Sequence, residues 1–387
     1  MFSTHRRATL AVVGIALVGS GLFITGRLAW ANWNPSAVAD VGREYTTGDP
    51  LPEGLIVRRS VGFDGQFFYR LALNPFTTSR SEFGLRLDQP ARRQQRILYP
   101  IVAWVVTGGG RAGAVPWALI AINLAGFALI GALGVELARS AGRSGFAALL
   151  FVATPGILIA LGFDTGEVVA VALALSTLLL LRRGRFAGAA IAATLALFAR
   201  ETTLVIPIGL LSAIAWLRFR HRRYELNGRP VPVYVGLVPV VLYAGWQGVL
   251  WARWGKPAFT STDGSDLGAP FVGIARAVGI WSQRGQTVDN TFFFAAIALV
   301  VILALASIRR SAAPLHEKAA FATAVLLALL YQWTVMVHFA TYLRAMSEAY
   351  VLGILILLED RRSPVMPLAI GWVEVWGYLA FRARLVG

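Results

Sequence analysis

Long apolar runs follow one another along almost the whole chain, and they restrict it to very few folds. Residues 9–29, 114–137, 145–161, 165–181, 231–251, 289–308, 319–337 and 340–358 are each near or above spanning length, which for a helix is about 20 residues. Two shorter runs, 186–199 and 202–217, continue the series. A bilayer core offers no water to backbone N–H and C=O groups, so such runs satisfy them internally as helices. The expected fold class is an all-α polytopic membrane protein with about ten transmembrane helices. Only 14% of the residues are charged and 57% are hydrophobic, which departs from a soluble composition. The net charge of +16 lies largely between the apolar runs, so it marks topology and gives no case for a nucleic-acid partner.

The charges orient the spans. Arg6 and Arg7 precede the first run and place the amino terminus in the cytoplasm, with that run as a retained signal anchor. Residues 97–108, ILYPIVAWVVTG, are too short to cross and read as a re-entrant or interfacial helix. With that choice the basic loops containing Arg139 and Arg143, Arg182 to Arg185, 218–229, and Arg309 and Arg310 all face the cytoplasm. The chain then reads as one transmembrane domain over 1–360, with external loops at 31–113 and 252–288. The first loop carries juxtamembrane helices near 61–74 and 95–108, and 361–387 forms a cytoplasmic interfacial tail unless 364–380 crosses as well.

Several chemistries are unsupported. There is no cysteine, and the histidines His5, His221, His316 and His338 are scattered, so no zinc cluster is expected. GxxxxGK[ST] and GxGxxG are both absent, which removes support for a nucleotide-driven motor.

The polar residues that remain collect at the outer ends of the apolar runs. Asp64 opens an amphipathic stretch, VGFDGQFFYRLALNPF over 61–76. A helix there sets Phe67, Phe68, Leu71 and Leu73 on the bilayer while Asp64, Gln66 and Arg70 face a polar cleft. Asp64 is either the cap of that helix or a catalytic carboxylate, and the spacing fits both. Arg96 at the mouth of ILYP makes with Arg92 and Arg93 a cationic site that suits a phosphate; headgroup anchoring is the competing reading, favoured for Arg92 and Arg93 and not for Arg96. Arg200 and Glu201 interrupt an apolar stretch, which places them below the surface or at a broken-helix tip. Arg344 and Glu348 stand one turn apart and are able to pair with each other. Asp164 and Glu167 share a helix face and are weak candidates for a divalent cation together with Asp64. His338, beside Arg344, completes the set.

The combination FDGQFFYRLALNPF, LDQPARRQQRILYP, FARETTLVIP and YLRAMSEAY resembles bacterial integral membrane proteins of cell-surface glycopolymer formation, which are similar to the C-type glycosyltransferase superfamily. The resemblance covers roughly residues 5–360. It implies a GT-C-like fold and an inverting glycosyltransferase. Such an enzyme moves a sugar from a polyprenyl-phosphate carrier to a cell-envelope glycan or lipid, on the outer face of the cytoplasmic membrane. Asp64 then matches the catalytic aspartate, and Arg96, Arg200 and Arg344 match a lipid-phosphate clamp. Gln66, Tyr69, Arg70, Glu201 and His338 are the further substrate-binding candidates. No adjacent acidic pair stands in the first loop, and a divalent cation is the one cofactor raised. Membrane lipids and polysaccharide-assembly proteins are the other partners implied. Two non-enzymatic roles compete: a transporter or flippase for a phosphate-bearing glycolipid, and a scaffold in polysaccharide assembly.

Overall fold

The computed structural model describes residues 2–259 and 266–365, together with 367, 368, 371, 372, 375, 377 and 378. Its architecture is helical throughout, with three two-residue β-ribbons confined to loops. α1 (Phe2–Trp30) is followed by a long loop holding α2 (Gly65–Leu73), α3 (Pro90–Gln94) and α4 (Leu98–Val106). The bundle continues with α5 (Val115–Ser140), α6 (Leu149–Val152), α7 (Pro155–Gly162), α8 (Glu167–Arg182), α9 (Phe186–Ala199), α10 (Val205–Phe219) and α11 (Tyr234–Trp254). After the second large loop, which contains α12 (Val272–Gln283), come α13 (Thr287–Ser307), α14 (Leu315–Leu330), α15 (Trp333–Met336), α16 (Phe339–Ala345) and α17 (Ser347–Leu358).

Every apolar run carries helix, and the protein is a polytopic helical membrane protein. Among the described residues, five segments are long and apolar enough to cross alone: Arg6–Trp30, Val115–Ser140, Glu201–Phe219, Tyr234–Trp254 and Thr287–Ser307. Two bent pairs, α6 with α7 at 52° and α16 with α17 at 53°, bring the number to seven if each is one span. The other three helices are shorter, with 16 residues in α8 and α14 and 14 in α9. At 1.5 Å per residue they rise about 21–24 Å, less than the hydrocarbon thickness. Among the described residues, the expectation of about ten spans resolves into five to seven full-length ones and three short helices. The α6–α7 bend coincides with Pro155, which has no N–H to continue the ladder.

α4 has nine residues, a rise of about 14 Å, and does not cross. Tyr99, Pro100 and Ala103 are buried while Val105 and Val106 are exposed, which is the burial of a helix lying at an interface. α2 differs from its expected placement. All nine of its residues, Gly65–Leu73, are buried, so it does not lie on the bilayer. Loop residues 31–64 and 77–96 and helices α4 and α5 enclose it: Phe68, Tyr69, Ala72 and Leu73 pack with Val41, Leu85, Tyr99 and Leu119.

The expected tail over 361–387, with the alternative span at 364–380, falls mostly outside the described residues.

Candidate functional site

Two glycines set the position of Asp64. Gly62 has φ of +73°, a conformation side chains resist, and a Cβ there would fall 2.4 Å from the Asp40 carbonyl oxygen. A Cβ on Gly65 would lie 2.1 Å from the Phe163 carbonyl oxygen. The turn Gly62-Phe63-Asp64-Gly65 is thereby pressed against the α7–α8 junction, and the stack of Phe63 on Phe163 at 4.3 Å fixes it further. Asp64 precedes α2, yet its side chain makes no capping bond. The carboxylate is turned away from the helix.

It meets two arginines instead. Arg93 Nη1 donates to Asp64 Oδ1 at 2.7 Å, and Arg344 Nη2 donates to Asp64 Oδ2 at 2.5 Å. Arg93 also holds Asp88 with two bonds, at 2.8 and 2.7 Å, over the Phe67 ring at 4.0 Å. The expected anchoring of Arg93 in headgroups is thus replaced by an ion-pair role, because Asp88 and Asp64 flank it. Arg92 pairs with Asp266. The guanidinium of Arg344 lies over Phe63 at 4.8 Å. Burial on its own would raise the Asp64 pKa, but Arg93 and then Arg344 hold it far below the usual carboxylate range.

The charges continue inward from Asp64. Arg344 Nε lies 3.0 Å from Glu167 Oε1, and Arg200 Nη1 reaches the same oxygen at 3.0 Å. Arg200 Nε is 3.6 Å from Glu348, which also accepts from Thr202 Oγ1 at 2.6 Å. Beside them Arg96 grips Glu201 with two bonds, at 2.8 and 2.5 Å. Arg200 sits in extended backbone between α9 and the turn Glu201–Leu204, so the broken tip expected there is present. Arg344 and Glu348 do not pair with each other, because the bend between α16 and α17 separates them and each finds a partner elsewhere.

The segment carrying Arg93 and Arg96 is fastened from both sides. Gln94 donates to the Pro75 carbonyl at 2.7 Å and accepts from Trp254 Nε1 at 2.8 Å, while Gln95 accepts from Tyr243 at 3.1 Å. The two arginines therefore project from a fixed strip of backbone.

Two properties make the cluster more than a set of ion pairs. Asp64 and Glu201 keep 25% and 28% of their side chains exposed, so the cluster opens at that edge. Within it, Arg344 Nε and Nη1, Arg200 Nε and Nη1, and both Glu167 oxygens stand without a hydrogen bond of proper alignment despite the short ion-pair distances. Directional donors remain for a further anion.

Other candidates have structural partners. Arg70 is buried and donates to Thr77 at 3.2 Å and Glu82 at 2.7 Å, which ties α2 to its own loop instead of facing a cleft. Gln66 bonds Gly42 N and Val61 O, both at 3.1 Å, and secures the turn before Asp64. Tyr69 is buried among loop and α5 residues and lines an outer recess with Trp33 and Trp117. His338 accepts from Ala340 N at the start of α16 and stacks on Phe339, and burial lowers its pKa.

The residues present do not fit a divalent cation. Among the described residues no three His, Cys, Asp or Glu side chains converge as ligands. Asp64 and Glu167 already share Arg344, and a dication between them would face that guanidinium. Asp164 stays apart, fully buried with neither oxygen hydrogen-bonded.

No family model and no curated protein matches the chain. Among solved structures, the oligosaccharyltransferase of Archaeoglobus fulgidus, crystallised with a tethered acceptor peptide, is similar over 97% of this chain and 54% of its own, with a TM-score of 0.40 and 16% identity. The chain spans about half the length of that protein. A similarity so distant transfers no residue role.

Proposed function

We propose that this protein is an inverting glycosyltransferase that takes a sugar from a polyprenyl-phosphate donor and passes it to a cell-envelope glycan or lipid on the outer face of a bacterial cytoplasmic membrane. The observation that carries the proposal is Asp64, a partly exposed carboxylate suspended between Arg93 and Arg344 and followed inward by Arg96 and Arg200.

In the free protein every guanidinium of the cluster faces a carboxylate. A donor phosphate competes with those carboxylates, since it offers more oxygens to the same planar donors. When the phosphate draws Arg344 and Arg93 toward itself, Asp64 loses the two cations that depress its pKa and becomes a stronger base. The acceptor hydroxyl then attacks the anomeric carbon as its proton passes to Asp64. The bond from that carbon to the phosphate oxygen breaks, and the leaving phosphate keeps the electron pair against the arginines. One base opposite the leaving group is the requirement for inversion.

The test uses purified protein in nanodiscs with a radiolabelled polyprenyl-phosphate sugar and extracted envelope acceptors. Wild type is expected to transfer label, and the Arg96→Ala, Arg200→Ala, Arg344→Ala triple variant to lose donor binding. Charged hydrogen bonds of this kind are each worth about 1.5–3 kcal/mol. Undiminished donor binding by a folded triple variant sinks the clamp assignment. The two bent helix pairs favour one second reading, a carrier for the same lipid, since broken helices are a device of transporters. Donor binding and translocation without transfer by wild type would put that reading first.

A further inference from the structure

α2 serves two faces of the loop that holds it. Asp64, at its start, meets Arg93 and Arg344. Tyr69, five residues on, lies about 140° further round and about 7.5 Å along the helix. There it lines a recess of about 370 Å³, a volume within the range of about 300–1,000 Å³ typical of small-molecule sites. The rim comes from three segments: Asn32 and Trp33 after α1, Glu53 in the loop, and Trp117 in the first turn of α5. Asn34 donates to the Gly54 carbonyl at 2.7 Å, and Ser36 Oγ accepts from Ile56 N at 3.0 Å, so the strip with Trp33 is fastened to the strip with Glu53. Asn32 and Trp33 have φ of +52° and +63°, where a helix end favours glycine and a bulky residue is strained. The ring held at that cost is 60% exposed, and that of Trp117 is 49% exposed.

The polar groups of the recess are unengaged. Tyr69 is 1% exposed, yet its hydroxyl makes no hydrogen bond among the described residues. Burial alone pushes its pKa up to about 12, so it stays a neutral donor. Asn32 and Glu53 are exposed, and neither side chain has a hydrogen bond or ion pair among the described residues. No Lys or Arg stands among the described lining residues. We propose that this recess is a carbohydrate subsite, which holds a neutral sugar ring of the acceptor glycan beside the Asp64 cluster. Tryptophan faces stack on the apolar C–H face of a pyranose, while its hydroxyls need donors and acceptors at the edge. Tyr69 donates, Glu53 accepts and Asn32 does both. A phosphate headgroup would find no cation here and would be repelled by Glu53. Two exposed tryptophans alone would make an interfacial belt, but a belt has no use for a buried unpaired hydroxyl. The sugar's role as acceptor rests on the glycosyl-transfer reading; its binding does not.

Full-length protein in nanodiscs is titrated with the neutral oligosaccharides released from extracted cell envelopes, and binding is read by saturation-transfer NMR against empty nanodiscs. Wild type and Asp64→Asn are expected to bind alike. Trp33→Gly, which suits the left-handed backbone, and Trp117→Ala should each weaken binding up to about tenfold. Tyr69→Phe, which removes only the hydroxyl, should weaken it about fivefold. In transfer assays the same three variants should raise KM for the acceptor with kcat and donor binding near wild type. Wild type that binds these oligosaccharides but transfers no sugar keeps the subsite and removes the enzyme reading. No binding by wild type, unchanged binding in folded Trp33→Gly and Trp117→Ala, or binding lost in Asp64→Asn overturns the subsite.

Discussion

α8 carries a buried arginine–carboxylate cluster at each end, and the two are built differently. At its carboxyl end Arg182 donates through Nε and Nη2 to both oxygens of Glu317, at 2.6 and 2.7 Å, and through Nη1 to Glu359 at 2.5 Å and Ser140 at 3.1 Å. All three nitrogens have aligned partners, and Glu317 is 0% exposed. At the amino end Glu167 is as deeply buried, yet neither of its oxygens has an aligned bond, and the cluster opens to the surface at Asp64 and Glu201. Saturated geometry clamps α8 to α14 and to the end of α17. Unsaturated geometry at an open edge costs stability and leaves donors for a ligand, because unpaired buried polar groups are expensive to keep. The same residue types thus make a latch at one end and a site at the other.

The sharpest way to break that comparison is Asp64→Asn. The amide keeps the size of the side chain but cannot accept the acceptor's proton, so turnover should fall about 100-fold to 10,000-fold. Donor binding should persist, because the clamp arginines remain. Equal transfer by variant and wild type would remove the base from the scheme.

At the latch the opposite pattern is expected. Arg182→Met leaves Glu317 buried without its partner, which should lower unfolding free energy by about 3–5 kcal/mol. Transfer per folded molecule should stay near wild type. A catalytic loss in folded Arg182→Met, with stability unchanged, would erase the distinction between the two ends.

Glu201→Gln sharpens it within the site. Glu201 holds Arg96 with two bonds and is the most exposed carboxylate of the inner pairs, so it competes directly with a donor phosphate. Neutralising it should tighten polyprenyl-phosphate binding about tenfold, the size of one charge-assisted bond. A titration in nanodiscs reads this directly. Weaker binding would show that Glu201 supports the ligand instead of standing in for it.

How far the sequence foretold these two ends depends on what holds each residue. The apolar runs carry the helices because bilayer thickness and backbone pairing act locally on each run. Arg200 and Glu201 were legible as a broken tip since two charges interrupt an apolar stretch. Arg93 was legible only as a second choice for a phosphate site, below headgroup anchoring: its pairing with Asp64 depends on the folding of a loop 29 positions long. The pairing of Arg344 with Asp64 spans 280 positions, and local spacing pointed to Glu348 instead. The bend that separates Arg344 from Glu348 lies at Ala345-Met346-Ser347, which has neither Pro nor Gly to announce it. α2 reads as amphipathic, and only the loops packed around it make it a core element.

The smallest expected effect concerns Asp164, which lies in the turn before α8 and belongs to neither cluster. It is fully buried, its backbone has φ of +46°, and neither oxygen has a hydrogen bond. Burial pushes its pKa well above the carboxylate range, with the Arg27 charge opposing only in part. A raised folded-state pKa means that the native state binds a proton the unfolded chain has released. Its contribution to stability is then complete below the unfolded value, about 4, and is lost as pH rises toward the folded value. Asp164→Asn supplies the neutral form at every pH, and Asn also tolerates positive φ. Thermal unfolding in detergent from pH 5 to 8 should therefore show wild type losing stability relative to the variant as pH increases. The curves should lie closest at pH 5. A variant that instead becomes relatively less stable as pH rises would mean that Asp164 is charged in the fold and paired with Arg27, a third cluster built on the plan of the latch.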